Sequence, residues 1–220
     1  MNSQLPTVAQ VLKSPALLLA TWWGAGLSPR APGTVGSLAA LPFCYFWLLA
    51  LPAWGVAGVG LILLFIGVWA AKQAGKAWGK VDHGAIVIDE VLGQLLALAL
   101  PFYVLDASAI SLEFLLVGFL LFRLFDIAKP WPVSHFDNHW KSGWGVMLDD
   151  VAAGFLAGLG VLLILPLLAY SLNVCAEPWL LRDLLRVVRG RRRGLGRLLL
   201  QPITFRLHSE PLRVQDNSRK

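Results

Sequence analysis

The feature that most constrains this chain is a run of 41 residues, 31–71, without a single formal charge. A membrane-crossing helix needs about 20 mainly apolar residues, so this run is long enough for two crossings joined by a turn. We predict spans at Val35–Leu51 and Gly55–Ala71. The whole chain is 57% hydrophobic and only 15% charged, whereas soluble domains carry about 25% charged residues. The sequence therefore predicts a membrane protein and excludes an ordinary soluble enzyme.

Three further apolar stretches, Ala85–Leu105, about Ala107–Phe125 and Val146–Tyr170, predict three more spans. All should be helices, because backbone N–H and C=O groups in hydrocarbon must be satisfied within the segment. The expected fold is all-α, a polytopic membrane bundle of about four to five short, Gly-rich helices. We expect Gly154 and Gly158, spaced as small-xxx-small, to permit a close helix contact.

The chain is predicted to have three parts. Residues 1–34 form an interfacial or re-entrant N-terminal segment with a Gly/Pro-rich loop, residues 35–172 form the transmembrane catalytic bundle, and residues 173–220 form a basic amphipathic to disordered tail. The tail pattern is that of a surface helix on anionic lipid. Which side of the membrane the tail occupies, and the exact number of spans, stay open.

The charges predict an orientation. All eight Lys and Arg residues before residue 177 fall in the segments that five crossings place on one side, which the positive-inside rule makes cytoplasmic. The last 44 residues hold eleven basic and four acidic residues, so the net charge of +6 comes from the tail. Anionic lipids are therefore the partner expected at the tail, and nucleic-acid binding by the body of the chain has no support.

Acidic residues lie where a membrane protein rarely has them. Asp82, Asp126 and the pairs Asp89-Glu90 and Asp149-Asp150 fall within a turn or two of the predicted cytoplasmic boundary. Such carboxylates are functional candidates, because charges near hydrocarbon are costly unless paired or bound to a cation. They either share protons or hold a divalent metal. Carboxylates without cysteine favour Mg²⁺ or Mn²⁺, and Mg²⁺ commonly shares its site with phosphate.

Cations that could bind a phosphate lie nearby. Arg123, Asp126 and Lys129 are spaced i, i+3, i+6, so a helix continuing to Pro130 would align them on one face. Arg123 can hold phosphate through two hydrogen bonds and Lys129 as a point charge. The alternative is an ordinary salt bridge at a helix end.

Two other segments have both a functional and a plain interpretation. In the glycine-rich stretch 24–37, Thr34 or Ser37 could cap the next helix, and exposed amides could bind phosphate. The alternative is a tight entry loop. His83, between Asp82 and Gly84, is a candidate for proton transfer, and the alternative is a surface or hydrogen-bonded histidine.

Four stretches together resemble the phosphatidylglycerophosphatase A family of bacterial inner-membrane lipid phosphatases. They occur in the family's order within about residues 15–170 and are Gly24–Pro42, Asp82–Glu90, Phe122–Pro132 and Gly145–Asp150. The resemblance implies Mg²⁺-dependent hydrolysis of phosphatidylglycerophosphate, a phospholipid in the bilayer, to phosphatidylglycerol and phosphate, with the active site facing the cytoplasm.

We assign roles to eleven residues on these grounds. Catalysis is assigned to Asp82, His83 and Asp126, phosphate binding to Arg123, Lys129, Thr34 and Ser37, and the metal to Asp89, Glu90, Asp149 and Asp150. The nucleophile is either a metal-bound water, which we favour, or a carboxylate. The alternative function is a proton- or cation-coupled transporter, since intramembrane acids also mark ion pathways. A lipid phosphotransferase would need a denser acidic signature, and the oligomeric state stays open.

Overall fold

The structure, a computed structural model, describes residues 6–107, 110–135 and 142–171, and this part of the chain contains helices and no strands. Two short helices are followed by a 3-10 turn at Ala25–Leu27 and five long helices. In chain order the helices are α1 (Val8–Leu12), α2 (Pro15–Ala20), α3 (Pro32–Ala50), α4 (Ala53–Trp78), α5 (Ile88–Val104), α6 (Leu112–Ala128) and α7 (Gly143–Ser171). The predicted all-α fold is confirmed. The basic stretch at 179–189 and the rest of the predicted tail lie outside the described residues.

The first long helix starts earlier than the sequence predicted. Proline fits the first turn of a helix, where its missing N–H is not needed, and α3 begins at Pro32 after Ala31 as N-cap. Thr34 and Ser37 are therefore inside α3, and the expectation that either caps it is wrong. The Ser37 hydroxyl instead donates to the Gly33 carbonyl (2.9 Å).

Local sequence also sets the ends of α4 and α6. α4 continues past the predicted Ala71 to Trp78 and ends at Gly79, whose φ of 70° suits glycine at a helix end. The Ser111 hydroxyl accepts from the Phe114 N–H (3.2 Å) and caps the start of α6. Pro130 disfavours a helical residue before it, so α6 ends at Ala128 and Lys129 adopts φ 43°. The continuous helical face expected through Lys129 is therefore wrong by one residue.

The five long helices alternate in direction. Gly33 near the start of α3 lies against the side chains of Glu90 in α5 and Arg123 in α6, and Gly143 at the start of α7 lies against Lys72 in α4. The starts of α3, α5 and α7 thus meet the C-terminal parts of α4 and α6. We call this the acidic end of the bundle, since it carries Asp89, Glu90, Asp149 and Asp150.

The backbones of α5 and α7 approach closely just beyond the acidic end. A Cβ on Gly154 would meet the backbone of Gly93 at 3.0 Å or less, and one on Gly158 would meet the Leu100 side chain at 3.0 Å. The expectation that Gly154 and Gly158 form a small-residue contact face is confirmed. A Cβ on Gly93 would also meet the Phe122 ring of α6, so three helices converge at this glycine.

Three of the described helices are long and apolar enough to cross a membrane: α3, α4 and the Gly143–Leu165 part of α7. α5 and α6 have 17 residues each, or about 26 Å at 1.5 Å per residue. At the end opposite the acids, the Tyr103 hydroxyl donates to the Leu51 carbonyl (2.8 Å) and joins α5 to the end of α3.

Replacing Gly154 with alanine should destabilise the protein by about 1–3 kcal/mol, because the new methyl group would overlap the Gly93 backbone. The matched control is Gly58→Ala in α4, where a Cβ meets nothing within 4 Å. That change should stabilise the helix by about 0.5–1 kcal/mol. Thermal-unfolding midpoints of the two variants in one detergent measure the difference. Equal midpoints would contradict the close contact.

Candidate active site

A short loop before α5 is held to the N-terminal segment and sets where the first acidic pair begins. The Val87 N–H donates to the Ala20 carbonyl at the end of α2, and the Ile86 N–H donates to the His83 carbonyl, both at 2.8 Å. These bonds account for the start of α5 at Ile88 instead of the predicted Ala85. The acids Asp89 and Glu90 consequently lie in the first turn of α5.

His83 is buried in this loop. Its Nδ1 accepts from the Ala85 N–H (3.1 Å), and its ring packs against Trp78 with 4.9 Å between centroids. Burial lowers the pKa of His83, the nearby Lys80 lowers it further, and Asp82 opposes both by raising it. The imidazole is therefore neutral at pH 7, which agrees with Nδ1 acting as an acceptor.

The two acidic pairs meet between α5 and α7. Carboxylate oxygens of Asp89, Glu90 and Asp150 lie within 4.8 Å of one another, and the residues Asp89 and Asp150 are 8% and 3% exposed. The first acid of each pair is fixed by the amide that follows it, since Asp89 Oδ1 accepts from Glu90 N (3.1 Å) and Asp149 Oδ1 accepts from Asp150 N (3.0 Å). We call Asp89, Glu90 and Asp150 the carboxylate cluster.

Two cations border the carboxylate cluster. Arg123 Nη1 donates to Asp126 Oδ2 (2.5 Å), lies 3.9 Å from Glu90 Oε1 and approaches the Ser37 hydroxyl at 3.5 Å. Lys129 Nζ donates to Asp149 Oδ2 at 2.9 Å. The pairing of Arg123 with Asp126 matches the helix-end salt bridge that the spacing allowed, whereas Lys129 reaches across to α7.

A cavity of about 260 Å³ opens at this point of the acidic end. Its charged lining within the described part of the chain comprises six acids (Asp82, Asp89, Glu90, Asp126, Asp149 and Asp150) and two bases (Arg123 and Lys129). Carboxylates this close repel one another unless they are protonated or balanced by positive charge. Two cations cannot balance six ionised carboxylates, so the cavity suits a further cation.

The structure brings together eight of the eleven residues assigned to the site. Thr34, Ser37 and His83 are not among the described residues that line the cavity. The Ser37 hydroxyl instead contacts Arg123 Nη1 at 3.5 Å. His83 stabilises the loop before α5 through the hydrogen bond that its Nδ1 accepts from the Ala85 N–H. Of the four acids assigned to the metal, Asp149 lies outside the carboxylate cluster and is bonded to Lys129.

Sequence reasoning missed Gly33 and Gln94. A Cβ on Gly33 would collide with the Glu90 carboxylate and lie 3.1 Å from the Arg123 guanidinium, so the site has no room for a side chain there. The sequence signal for Gly33 is its place between Pro32 and Thr34 at the start of a helix. Gln94 is fully buried one turn after Glu90, and its signal is an amide in an otherwise apolar span.

The residues that form this cavity lie within the part of the chain that matches a known protein family. The profile of the phosphatidylglycerophosphatase A family matches residues 18–165, which include all of the charged residues that line the cavity. No solved structure matches the chain.

Three relatives are similar over most of their length. Phosphatidylglycerophosphatase A of Escherichia coli (strain K12) is 40% identical over 148 residues, 66% of this chain and 81% of the relative. Phosphatidylglycerophosphatase A of Haemophilus influenzae is 36% identical over 152 residues, 66% of this chain and 86% of the relative. A Bacteroides thetaiotaomicron protein, provisionally named phosphatidylinositol-3-phosphatase, is 37% identical over 142 residues, 63% of this chain and 86% of the relative.

The match covers more than half of the chain and includes the bundle that forms the cavity. The chain is a membrane protein and belongs to the phosphatidylglycerophosphatase A family of phosphatases.

Proposed function

We propose that this protein is a Mg²⁺-dependent lipid phosphatase that hydrolyses phosphatidylglycerophosphate to phosphatidylglycerol and inorganic phosphate. The site is proposed to face the cytoplasm in a bacterial inner membrane. The observation that carries the proposal is the cavity in which a buried carboxylate cluster faces the guanidinium of Arg123. The names of the relatives from E. coli and H. influenzae supply the substrate.

The carboxylate cluster fits a hard divalent cation. Mg²⁺ binds oxygen ligands at about 2.0–2.1 Å, so two ligands on opposite sides of the ion are about 4.2 Å apart. The carboxylate cluster has one oxygen from each of its three residues within 4.8 Å of the others. Small side-chain rotations would bring these oxygens to the spacing that Mg²⁺ ligands require. A bound Mg²⁺ would neutralise charge that develops on the phosphoryl oxygens.

Arg123 is the residue best placed to bind the substrate phosphate. All three of its described polar contacts use Nη1, and Nε is buried, so Nη2 is the donor left for a ligand. Asp126 and Ser37 hold the guanidinium in place from two sides. A fixed donor array that faces developing negative charge stabilises a phosphoryl-transfer transition state. Lys129 adds a second positive charge at the rim, and Asp149 positions it.

Proton transfer is better assigned to Asp82 than to His83. Asp82 is exposed and lines the cavity, so its carboxylate can exchange protons with both water and a bound substrate. His83 Nδ1 accepts a hydrogen bond from the Ala85 N–H, and His83 is not among the described residues that line the cavity. We therefore propose that His83 supports the loop that carries Asp82. Asp126 acts through Arg123.

No specific observation favours the transporter alternative. The buried polar side chains of the described residues lie in the N-terminal segment, the loop before α5, and the first eight residues of α3, α5 and α7. This distribution forms a site at one end and not a polar path across the bundle. The name of the Bacteroides relative points to phosphatidylinositol 3-phosphate. This lipid is therefore the second substrate to compare with phosphatidylglycerophosphate in the assay.

Phosphate release from phosphatidylglycerophosphate should stop when EDTA removes divalent cations and return when Mg²⁺ is added in excess. The physical reason is that the carboxylate cluster needs compensating positive charge to remain ionised and to receive a phosphate. The assay measures inorganic phosphate from detergent-dispersed lipid with purified full-length protein. Full turnover in excess chelator would refute the metal assignment.

Arg123→Lys should lower turnover by about tenfold or more, equal to about 1.4 kcal/mol. A lysine ammonium lacks the planar fork that contacts Asp126 and a phosphate at the same time. The matched control is Arg30→Lys, which makes the same change at an exposed position. Steady-state kinetics of both variants provide the test, and equal turnover would leave Arg123 as a salt-bridge residue only.

Asp150→Asn should remove most of the activity, because the amide keeps the size of the side chain but not the negative charge that a cation requires. Asp106→Asn is the matched control at the far end of α5, where Asp106 is exposed with φ 53°, a conformation that asparagine tolerates. Both proteins should purify folded, and only the first should lose phosphate release. Wild-type activity in Asp150→Asn would remove this residue from the site.

A further inference from the structure

Gln94 in α5 is fully buried, and neither its amide nitrogen nor its amide oxygen has a hydrogen-bond partner among the described residues. An amide can donate two hydrogen bonds and accept two. Leaving all of them unmade in a helix bundle is unfavourable compared with an apolar side chain of the same size. We therefore expect the Gln94 amide to have a hydrogen-bond partner.

Gln94 lies directly beneath the acidic end. On one side Glu90 of α5 contacts Arg123 of α6, and on the other side Leu98 of α5 contacts Gly118 of α6. Residues four apart share a helix face, so Gln94 lies midway between these two contacts. It does not line the cavity itself.

Glu90 carries the matching unpaired atom. Its Oε1 is 3.9 Å from Arg123 Nη1, whereas its Oε2 is buried without a hydrogen-bond partner among the described residues. Side chains at i and i+4 on a helix are within reach of each other. Among the other buried polar side chains nearby, Ser37 already donates its hydroxyl proton to the Gly33 carbonyl, and the carboxylates of Asp89 and Asp150 are acceptors.

We propose that Gln94 is a positioning residue for Glu90. Its amide N–H donates to Glu90 Oε2 after a small rotation of either side chain. This bond fixes the plane of the carboxylate so that Oε1 stays near Arg123, and it would hold Glu90 ready to bind a cation together with Asp89 and Asp150. The inference rests on the proposed function, because it concerns how tightly that cation binds.

The test replaces Gln94 with methionine, which has a similar length and no hydrogen-bonding amide. Losing a bond that orients a metal ligand typically weakens metal affinity by about 10- to 100-fold. We therefore expect Q94M to need about 10- to 100-fold more Mg²⁺ to reach half of the Mg²⁺-induced rise in thermal-unfolding midpoint. The Mg²⁺ dependence of phosphate release should shift by the same factor, while KM for the lipid stays unchanged. Without Mg²⁺ the variant should still fold, because methionine fills the space of the glutamine side chain.

The matched control is Q73M, which makes the same change at a half-buried glutamine in α4 that is not among the described residues lining the cavity. It should leave both Mg²⁺ dependences unchanged. A lower midpoint of Q94M without Mg²⁺, combined with an unchanged Mg²⁺ dependence, would assign Gln94 a packing role and overturn the inference.

Two further outcomes separate this inference from the proposed function. A wild-type protein that responds to Mg²⁺ while Q94M responds identically would overturn the role of Gln94 alone. A wild-type protein with neither a Mg²⁺-induced shift nor Mg²⁺-dependent phosphate release would overturn the proposed function and this inference together. Q94L is the second variant, and failure of both Q94M and Q94L to fold would also assign Gln94 to packing.

Discussion

The close approach of α5 and α7 at Gly93 and Gly154 is the constraint on which the rest of the site depends. It brings carboxylate oxygens of Glu90 and Asp150, about one turn earlier on each helix, to within 4.8 Å of each other. A side chain on either glycine would separate the helices and spread the carboxylates. The same contact receives the Phe122 ring, which places Arg123 of α6 beside Glu90. Glycines without chemistry of their own thus set the spacing of the charged groups.

Charge balance connects this packing to activity. The described cavity lining holds more carboxylates than cations, and the bases are already bonded, Arg123 to Asp126 and Lys129 to Asp149. This imbalance supports the proposed function, in which a cation and then the phosphate of the substrate would complete the charge balance of the site. A phosphate monoester has the charge to do this, whereas a neutral headgroup does not.

The sequence predicted the long helices and the end of the bundle at which the acids meet, because the absence of charge marks spans and the few charges mark their ends. It did not predict that Lys129 pairs with Asp149 of α7. Asp149 and Asp150 are adjacent in sequence, but they face Lys129 and the carboxylate cluster, respectively. Such choices depend on helix rotation and on contacts between distant segments, such as Val87 with Ala20. The burial of Gln94 one turn after Glu90 could not be predicted from the sequence for the same reason.

The lengths of α5 and α6 affect the lipid around them. At 17 residues each, or about 26 Å, they are shorter than the roughly 30 Å of hydrocarbon in a typical bilayer. A bilayer adapts to short spans by thinning locally. In the proposed multi-pass arrangement, with α5 and α6 in the bilayer, such thinning would bring the phosphate layer of the adjoining leaflet toward Arg123 and the first turn of α5. The headgroup of the proposed lipid substrate would then reach the cavity while its acyl chains stay in the membrane.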